Sequence, residues 1–503
     1  MEFVNTAWAL FPPLVAIVLA LITKEAYSSL VIGIVIGAFM VAGMDPVGTI
    51  DTVINGGFIP AVSENAGIFI FLVMLGIMVA LVNATGAAAA FGKWAAKRVK
   101  SRIGTQLAAF ILGILIFIDD YFNCLTVGSV MRPVTDSRKV SRAKLSYIID
   151  ATAAPICMIA PVSSWAAAVS GVASDMNVDG IQLFVSAIPF NFYSLLTLVF
   201  VIGLIVMNFE YGPMAAAELR AYKEDDLGSL GNDTMSENPK ASLWDMLLPV
   251  FTLIICCVVG MLYVGGFWGD DPEYAGSIIM AFGNTDAFVA LPWGAMIALV
   301  FAFIYLLIRR VVNFKDAMDC FVTGFNAMVP AIMILVLAIS LKNMTGSLGA
   351  DVFVAGLMEG AAAGLYMMLP AIIFLVACFL AFSTGTSWGT FGILIPIVLP
   401  IFANEPTLMT IGISACLAGA VCGDHCSPIS DTTVMAAAGA NVKHIDHVNT
   451  QLPYVVTVAA ISFVCFVIAG FVQNALICLV IGAALTIGTL LVLKKTIGKT
   501  IAE

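Results

Sequence analysis

The sequence predicts an all-α polytopic membrane protein made of two inverted-topology repeats, each with a re-entrant helical hairpin and a broken helix, plus one extra C-terminal helix. Three observations carry this reading. Hydrophobic residues make up 61% of the chain and charged residues 11%, far from the balance of a water-soluble globule. Apolar stretches of roughly 17 to 25 residues, the length that crosses a ~30 Å hydrocarbon core as helix, follow one another along nearly the whole chain. Three landmarks then recur in the same order. NATG at 83–86 returns as NMTG at 343–346, IDDYFNCLTVG ending at Gly128 returns as FSTGTSWGTFG ending at Gly392, and PVSS at 161–164 returns as PISD at 428–431.

The first copy, residues 1–207, contains hydrophobic units at 6–23, 28–44, 66–86, 104–134, 144–176 and 186–207. Residues 6–23 read as a retained span, because no basic region and small-residue cleavage site frame them as a signal peptide. The second copy, residues 243–471, contains units at 243–267, 286–308, 325–346, 369–402, 408–440 and 451–470. Residues 208–242, rich in charge and turn formers, read as the linker between copies. Residues 472–503 hold the extra span, at 474–493, and a tail. No soluble domain and no nucleic-acid-binding face is visible. The cysteines lie mostly inside apolar units, as small buried hydrophobes rather than a disulfide framework.

Orientation follows from lysine and arginine, which concentrate in cytoplasmic loops. Lys93, Lys97, Arg98, Lys100 and Arg102 precede the fourth unit, and Arg138, Lys139, Arg142 and Lys144 follow it. Both its ends are therefore inside, so residues 104–134 should enter from the cytoplasm, turn at the polar DDYFN and leave again. The matching hairpin is flanked by Asp351, Glu359 and Glu405, and should enter from outside. The N-terminus is expected outside and the C-terminus in the cytoplasm.

Non-helical backbone at membrane depth survives only where protein or water surrounds it, so breaks inside apolar units are the places to look for chemistry. Four breaks qualify: the hairpin tips at 119–123 and 383–388, and the interruptions at 155–165 and 423–433. The first tip offers Asp119, Asp120 and Asn123, hard oxygen ligands suited to a small cation or a proton. The second offers Ser383, Thr384, Thr386 and Ser387, whose hydroxyls and carbonyls could ligate Na⁺. The interruption in the second copy contributes Asp424, His425, Ser427, Ser430, Asp431 and Thr432, and its counterpart contributes Ser163, Ser164 and Trp165. Asp120, Asp424 and Asp431 are candidates for proton coupling; Asp150 is either a further proton group or a partner for Lys144. Lys342 reads as a snorkelling lysine in preference to a coupling residue. The NxTG strings could be ion ligands or helix ends. Cys422, His425 and Cys426 lack the spacing of a structural zinc site, so no transition metal and no cofactor is expected. His444 and His447 read as residues of a solvated cytoplasmic loop, with pH sensing as the alternative.

At CGDHCSPISDTTVMAAAGANVKHIDHVNTQLPY (422–454), FIDDYFNCLTVGSVMRPVTD, SRAKLSYIIDATAAP and PVSSW, the chain resembles the NhaC-type Na⁺/H⁺ antiporter family. That resemblance implies an ion-transporter-type fold, a Na⁺-coupled secondary transporter rather than an enzyme, a bacterial cytoplasmic membrane location and a homodimer. The expected ligands are then Na⁺ and H⁺ within the lipid bilayer. The expected activity is Na⁺/H⁺ antiport by alternating access; the alternative is Na⁺-coupled transport or exchange of an amino acid or small carboxylate, suggested by the hydroxyl-rich second tip.

Overall fold

The computed structural model describes the chain except for residues 1–2, 24, 88–89, 91–97, 118–119, 162, 174–179, 231–237, 273, 351, 354–362, 429 and 502–503. It is almost entirely helical. Among the described residues six helices are long and apolar enough to cross a bilayer, and a bent pair at Gly180–Phe190 and Phe192–Met207 makes a seventh. The shorter apolar helices are those of the breaks and of the N-terminal region.

In the first copy, α1 (Phe11–Thr23) and α2 (Ala26–Val41) lead into α3 (Pro46–Asp51), a π-helical turn at Thr52–Phe58, and α4 (Ile59–Glu64). A long helix, α5 (Ala66–Ala84), precedes the hairpin formed by α6 (Arg102–Leu115) and α7 (Asp120–Asp136). The broken helix follows as α8 (Arg142–Thr152), α9 (Ala154–Cys157) and α10 (Ser164–Ala173). Next come α11 (Gly180–Ala187) and α12 (Phe192–Met207). Their starts are set by polar caps: the side chains of Ser101, Ser141 and Asn191 accept from Gly104 N, Lys144 N and Ser194 N.

The expected linker is not featureless. It forms a strand, β1 (Phe209–Glu210), and a helix, α13 (Gly212–Glu224). The second copy continues with α14 (Trp244–Val264), α15 (Ile278–Gly283), α16 (Ala287–Ile308) and α17 (Phe314–Ser347). Its hairpin is α18 (Ala363–Thr384) with α19 (Ser387–Ile401), and its broken helix is α20 (Pro406–Cys426) with α21 (Asp431–Ala440). The chain closes with α22 (His444–Val472), α23 (Ala475–Thr496) and β2 (Lys499–Thr500), which pairs antiparallel with β1.

The two copies run in opposite senses. Asn238, in the linker, donates to the carbonyls of Thr85 in NATG (3.1 Å) and of Val311 just before α17 (2.8 Å). As an unbroken helix α17 is 34 residues, so its far end, carrying NMTG, lies about 50 Å away. There Leu348 O accepts from Asn5 N, 2.9 Å away. The duplicated motif thus terminates at opposite ends of the molecule.

The basic segments gather at the linker end. Lys139 pairs with Asp225 at 3.1 Å, Arg142 N donates to Leu227 O at 2.9 Å, and Lys494 Nζ donates to Met207 O at 2.8 Å. Several of these charges are buried. Lys144, fully buried, lies 2.7 Å from Glu210 and over the rings of Tyr147 and Tyr454, and the Tyr454 hydroxyl donates to Glu210's second oxygen. Arg102 pairs with Glu218, and Arg142 grips Asp136 bidentately at 2.6 and 2.7 Å.

Each hairpin's outgoing helix packs on the other copy's post-break helix, α7 on α21 and α19 on α10. At the first crossing a Cβ on Gly128 would stand 2.3 Å from the carbonyl carbon of Gly439, so the two backbones touch there. Gly128→Val should force the helices apart and lower the thermal midpoint of the detergent-purified protein; an unchanged midpoint would refute the close approach. Lys144→Met should cost about 3–5 kcal/mol because it leaves Glu210 buried alone, and adding Glu210→Leu should recover most of it. Chemical denaturation in detergent measures both, and equal losses in the single and double variants would contradict the pairing.

Candidate functional site

The four breaks meet. Asp120, the first residue of α7, is completely buried, and its Oδ2 accepts from the indole N–H of Trp165 at 3.0 Å. Trp165 stands at the start of α10, where its ring lies 5.6 Å from that of Trp388 and 5.2 Å from that of Phe391, both on α19. The first tip, the first broken helix and the second tip are thereby joined. The second broken helix is reached one turn along α7, where Cys124 Sγ lies 3.8 Å from the carbonyl of Thr432. The Thr432 hydroxyl in turn donates to Asp424 Oδ2, and Asp424 is also fully buried.

Much of the polar chemistry at the breaks serves to close them. Asn123 Nδ2, with two N–H donors, lies within hydrogen-bond distance of three carbonyls, those of Gly113 (2.7 Å), Ile116 (2.8 Å) and Thr152 (3.0 Å), tying the hairpin to the end of α8. Ser163 Oγ donates to Cys157 O and Ala160 O and accepts from Ala166 N. Thr386 caps α19 by accepting from Gly389 N, and Ser430 caps α21 by accepting from Thr433 N. These four residues satisfy backbone groups that hydrocarbon could not. Ser427 is buried in the same interruption.

Other polar atoms at the breaks are left over. Among the described residues, the hydroxyls of Ser164 and Ser387 and Oδ1 of Asn123 are buried and have no hydrogen-bond partner. Such groups are rare in folded proteins and mark places where a ligand or water belongs. Ser164–Trp165 and Ser387–Trp388 open α10 and α19 in the same way, each preceded by a capping hydroxyl. This repeated Ser-Trp pair was legible in SSW and TSW, and it is the signal that places Trp388 beside Asp120's donor. Asp119 lies outside the described residues, as do the side chains of Ser383, Thr384 and Asp431.

A third buried carboxylate lies one step away. Asp150 sits between two histidines, with His447 Nε2 3.3 Å from Oδ2 and His425 Nε2 3.7 Å from Oδ1. Gln451 Nε2 donates to Asp150 Oδ2 at 2.9 Å and to His425 O at 2.8 Å. The outer nitrogens of the rings are engaged as well, His425 Nδ1 with the Tyr193 hydroxyl at 2.9 Å and His447 Nδ1 with Ser146 Oγ at 2.8 Å.

Two sequence expectations are corrected here. Asp150 is not the partner of Lys144, because residues six apart point about 240° round a helix; Ser146, four apart, shares its face instead. His447 is not on a solvated loop. The helix α22 begins at His444, and His447 and Gln451, four apart, turn one face into the core, both buried. His444 stays near the surface, with Nε2 2.7 Å from Pro428 O. Among the described residues no group of three or more His, Cys, Asp or Glu side chains is placed to hold a metal ion.

The Lys342 ammonium donates to Val172 O at the end of α10, 3.2 Å away.

Comparison with known proteins accords with this architecture. An uncharacterized protein of Haemophilus influenzae is 35% identical over 491 residues, covering 94% of this chain and 93% of its own length. A Bacillus subtilis protein named malate-2H(+)/Na(+)-lactate antiporter is 29% identical over 171 residues, 33% of this chain and 35% of that one. The crystal structure of the Alcanivorax borkumensis YdaH transporter, described as having an unusual topology, shares the fold with a TM-score of 0.56 at 14% identity, over 85% of this chain and 89% of that one. Residues 157–471 match the profile of the Na⁺/H⁺ antiporter family. With buried carboxylates at broken helices and relatives named as antiporters, the chain is a membrane transporter and belongs to the Na⁺/H⁺ antiporter family.

Proposed function

We propose that this protein exchanges Na⁺ for H⁺ by alternating access, with the two cations competing for Asp120 and Asp424. The observation that carries the reading is the setting of Asp120. Among the described residues its hydrogen-bond donors are neutral, the indole of Trp165 and the amide of Tyr121. An ionised carboxylate buried without a counter-charge is costly, so this group needs either a proton or a bound cation. Protonation removes the charge that holds Na⁺, and competition of that kind is sufficient for exchange.

The surroundings suit a small cation. Ser164 and Ser387 offer hydroxyl oxygens and Asn123 a carbonyl oxygen that are unpartnered among the described residues, all hard ligands. Asp150, with its two histidines, is the further proton-handling group in this reading, linked to Asp424 through the adjacent His425. The inverted copies, residues 1–207 and 243–471 joined by 208–242 and followed by 472–503, supply the two access states by exchanging conformations. The gathering of basic segments at the linker end supports a bacterial cytoplasmic membrane orientation with the N-terminus outside and the C-terminus in the cytoplasm. A homodimer completes the reading, on the strength of the family resemblance. The second reading, coupled movement of an amino acid or small carboxylate, has support in the name of the Bacillus subtilis relative, a malate-2H(+)/Na(+)-lactate antiporter.

Everted membrane vesicles test the exchange directly. Added Na⁺ should collapse a respiration-driven pH gradient without any organic substrate, and its failure to do so would sink the reading. Asp120→Asn and Asp424→Asn should each abolish the response while still inserting in the membrane. Trp165→Phe removes one hydrogen bond to a charge, about 1.5–3 kcal/mol, and should weaken the apparent Na⁺ affinity by roughly 10-fold or more without abolishing exchange.

A further inference from the structure

Between α8 and α22 lies a network whose hydrogens can be counted. Ser146, Asp150 and His447 are all completely buried. A serine hydroxyl has one hydrogen to give, and Ser146 gives it to the carbonyl of Ala143 at 2.9 Å. Towards His447 it therefore accepts, so the ring nitrogen 2.8 Å away, Nδ1, carries a hydrogen. A neutral imidazole has only one N–H, which leaves Nε2 bare. Yet Nε2 stands 3.3 Å from Asp150 Oδ2 and has no hydrogen-bond partner of its own among the described residues.

A bare nitrogen there leaves a buried carboxylate uncompensated. One proton on Nε2 removes the conflict, because an imidazolium then faces the carboxylate, and imidazole is the more basic of the two groups in water. His425 on α20 needs no such proton. Its Nδ1 lies 2.9 Å from the Tyr193 hydroxyl of α12, a group that can donate, and this leaves an N–H on Nε2, 3.7 Å from Asp150 Oδ1.

The other charged groups on the elements packed around the pair are engaged elsewhere. Lys144 of α8 pairs with Glu210 of β1, which also accepts from Tyr454 of α22. Arg102 of α6 pairs with Glu218 of α13, and Arg142 holds Asp136 of α7. Tyr147 on α8 and the thiols of Cys422 and Cys426 on α20 carry no charge near neutral pH. The side chain of Asp431 on α21 lies outside the described residues. Among the described residues the basic side chains paired with Asp150 are the two histidines.

The pair has a route to water and a link to the ion site. A pocket of about 210 Å³ opens at the linker end between α8, α13 and α22, with Arg220, Asp226 and Asp446 among its walls. Ala143, whose carbonyl holds Ser146, lines it, as does Thr450, whose hydroxyl donates to His447 O at 2.9 Å. Water in the pocket thus comes within one helical turn of the pair, about 5 Å. On the other side, Gln451 Nε2 joins Asp150 Oδ2 to the carbonyl of His425, the residue after Asp424.

We propose that His447 and Asp150 form a proton-binding site of their own, separate from the Na⁺ carboxylates, which takes its proton from the linker-end pocket and sets the pH at which transport runs. Its role in transport rests on the exchange reading; the site itself does not.

The chain has three histidines, so isotope labelling of histidine nitrogen gives a spectrum with few signals. Solid-state NMR of the full-length protein in proteoliposomes, in Na⁺-free choline buffer, reads whether each ring nitrogen bears a hydrogen, and the signals lost in His447→Gln are those of His447. That ring should carry hydrogens on both nitrogens at low pH and lose one as the pH is raised. Asp150→Asn removes the counter-charge and should leave it with a single N–H at neutral pH. Ser146→Ala removes the acceptor of the charged ring and should move the transition to lower pH by about one to two units, the weight of one hydrogen bond to a charge. In everted vesicles, whose medium bathes the cytoplasmic face, the pH profile of Na⁺-dependent exchange should move with it. The proposal is overturned if His447 keeps a single N–H from about pH 5 to 9, or if either variant leaves its transition unchanged. It is overturned equally if the transport profile of Ser146→Ala stays in place while its NMR transition moves. Should one variant not fold, the other decides. An absence of exchange in unsubstituted vesicles counts against the exchange reading alone, and the NMR titration still decides the proton site.

Discussion

A helix that stops inside hydrocarbon exposes amides and carbonyls that lipid cannot satisfy, at several kcal/mol for each group left unpaired. This chain stops helices at that depth four times, and the architecture around the breaks follows from how those groups are satisfied. One short polar side chain closes each break: Asn123 with three carbonyls, Ser163 with two carbonyls and an amide, Thr386 and Ser430 as helix caps. Closing the breaks individually is not enough, because they must also be kept out of lipid. Each is buried against the others, α7 on α21 and α10 on α19, so that a requirement of the backbone produces one shared polar centre.

What remains after closure is the chemistry. Among the described residues Asp120 accepts from the indole of Trp165 and the amide of Tyr121, Asp424 accepts from the hydroxyl of Thr432, and Ser164 and Ser387 have hydroxyls with no partner. The contrast with the linker end is physical. Lys144 with Glu210, Arg102 with Glu218 and Arg142 with Asp136 pair charge with charge, which fixes helices α6, α8 and α13 in place.

The breaks were legible because polar strings such as DDYFN and TGTSWG stand out inside apolar units, and the inversion was legible because lysine and arginine choose sides. Less was legible about which polar residues would be left over. Sequence position made Asn123, Ser163, Thr386 and Ser430 look alike, whereas the geometry engages Ser163, Thr386, Ser430 and the amide nitrogen of Asn123 with backbone and leaves the Asn123 carbonyl oxygen over, a distinction that depends on where each helix ends to within a residue. The Asp150 cluster was hidden for a related reason. Lys443 precedes α22 without a capping side chain, so nothing in the sequence announced that His447 and Gln451 already belong to a helix and face inward. Glu210 looked like part of a solvated linker, although it lies in a strand held by the chain's own tail at Lys499. In both cases a contact far apart in sequence overrode the local pattern.

The central claim is that Na⁺ and protons compete for the same buried carboxylates. Calorimetric titration of the purified protein with NaCl, in buffers of differing ionisation enthalpy, counts the protons released as Na⁺ binds. The account predicts a release approaching about one proton per Na⁺ at a pH where Asp120 and Asp424 are protonated in the empty state, fading as the pH is raised. Sodium binding that releases no proton at any pH would contradict it.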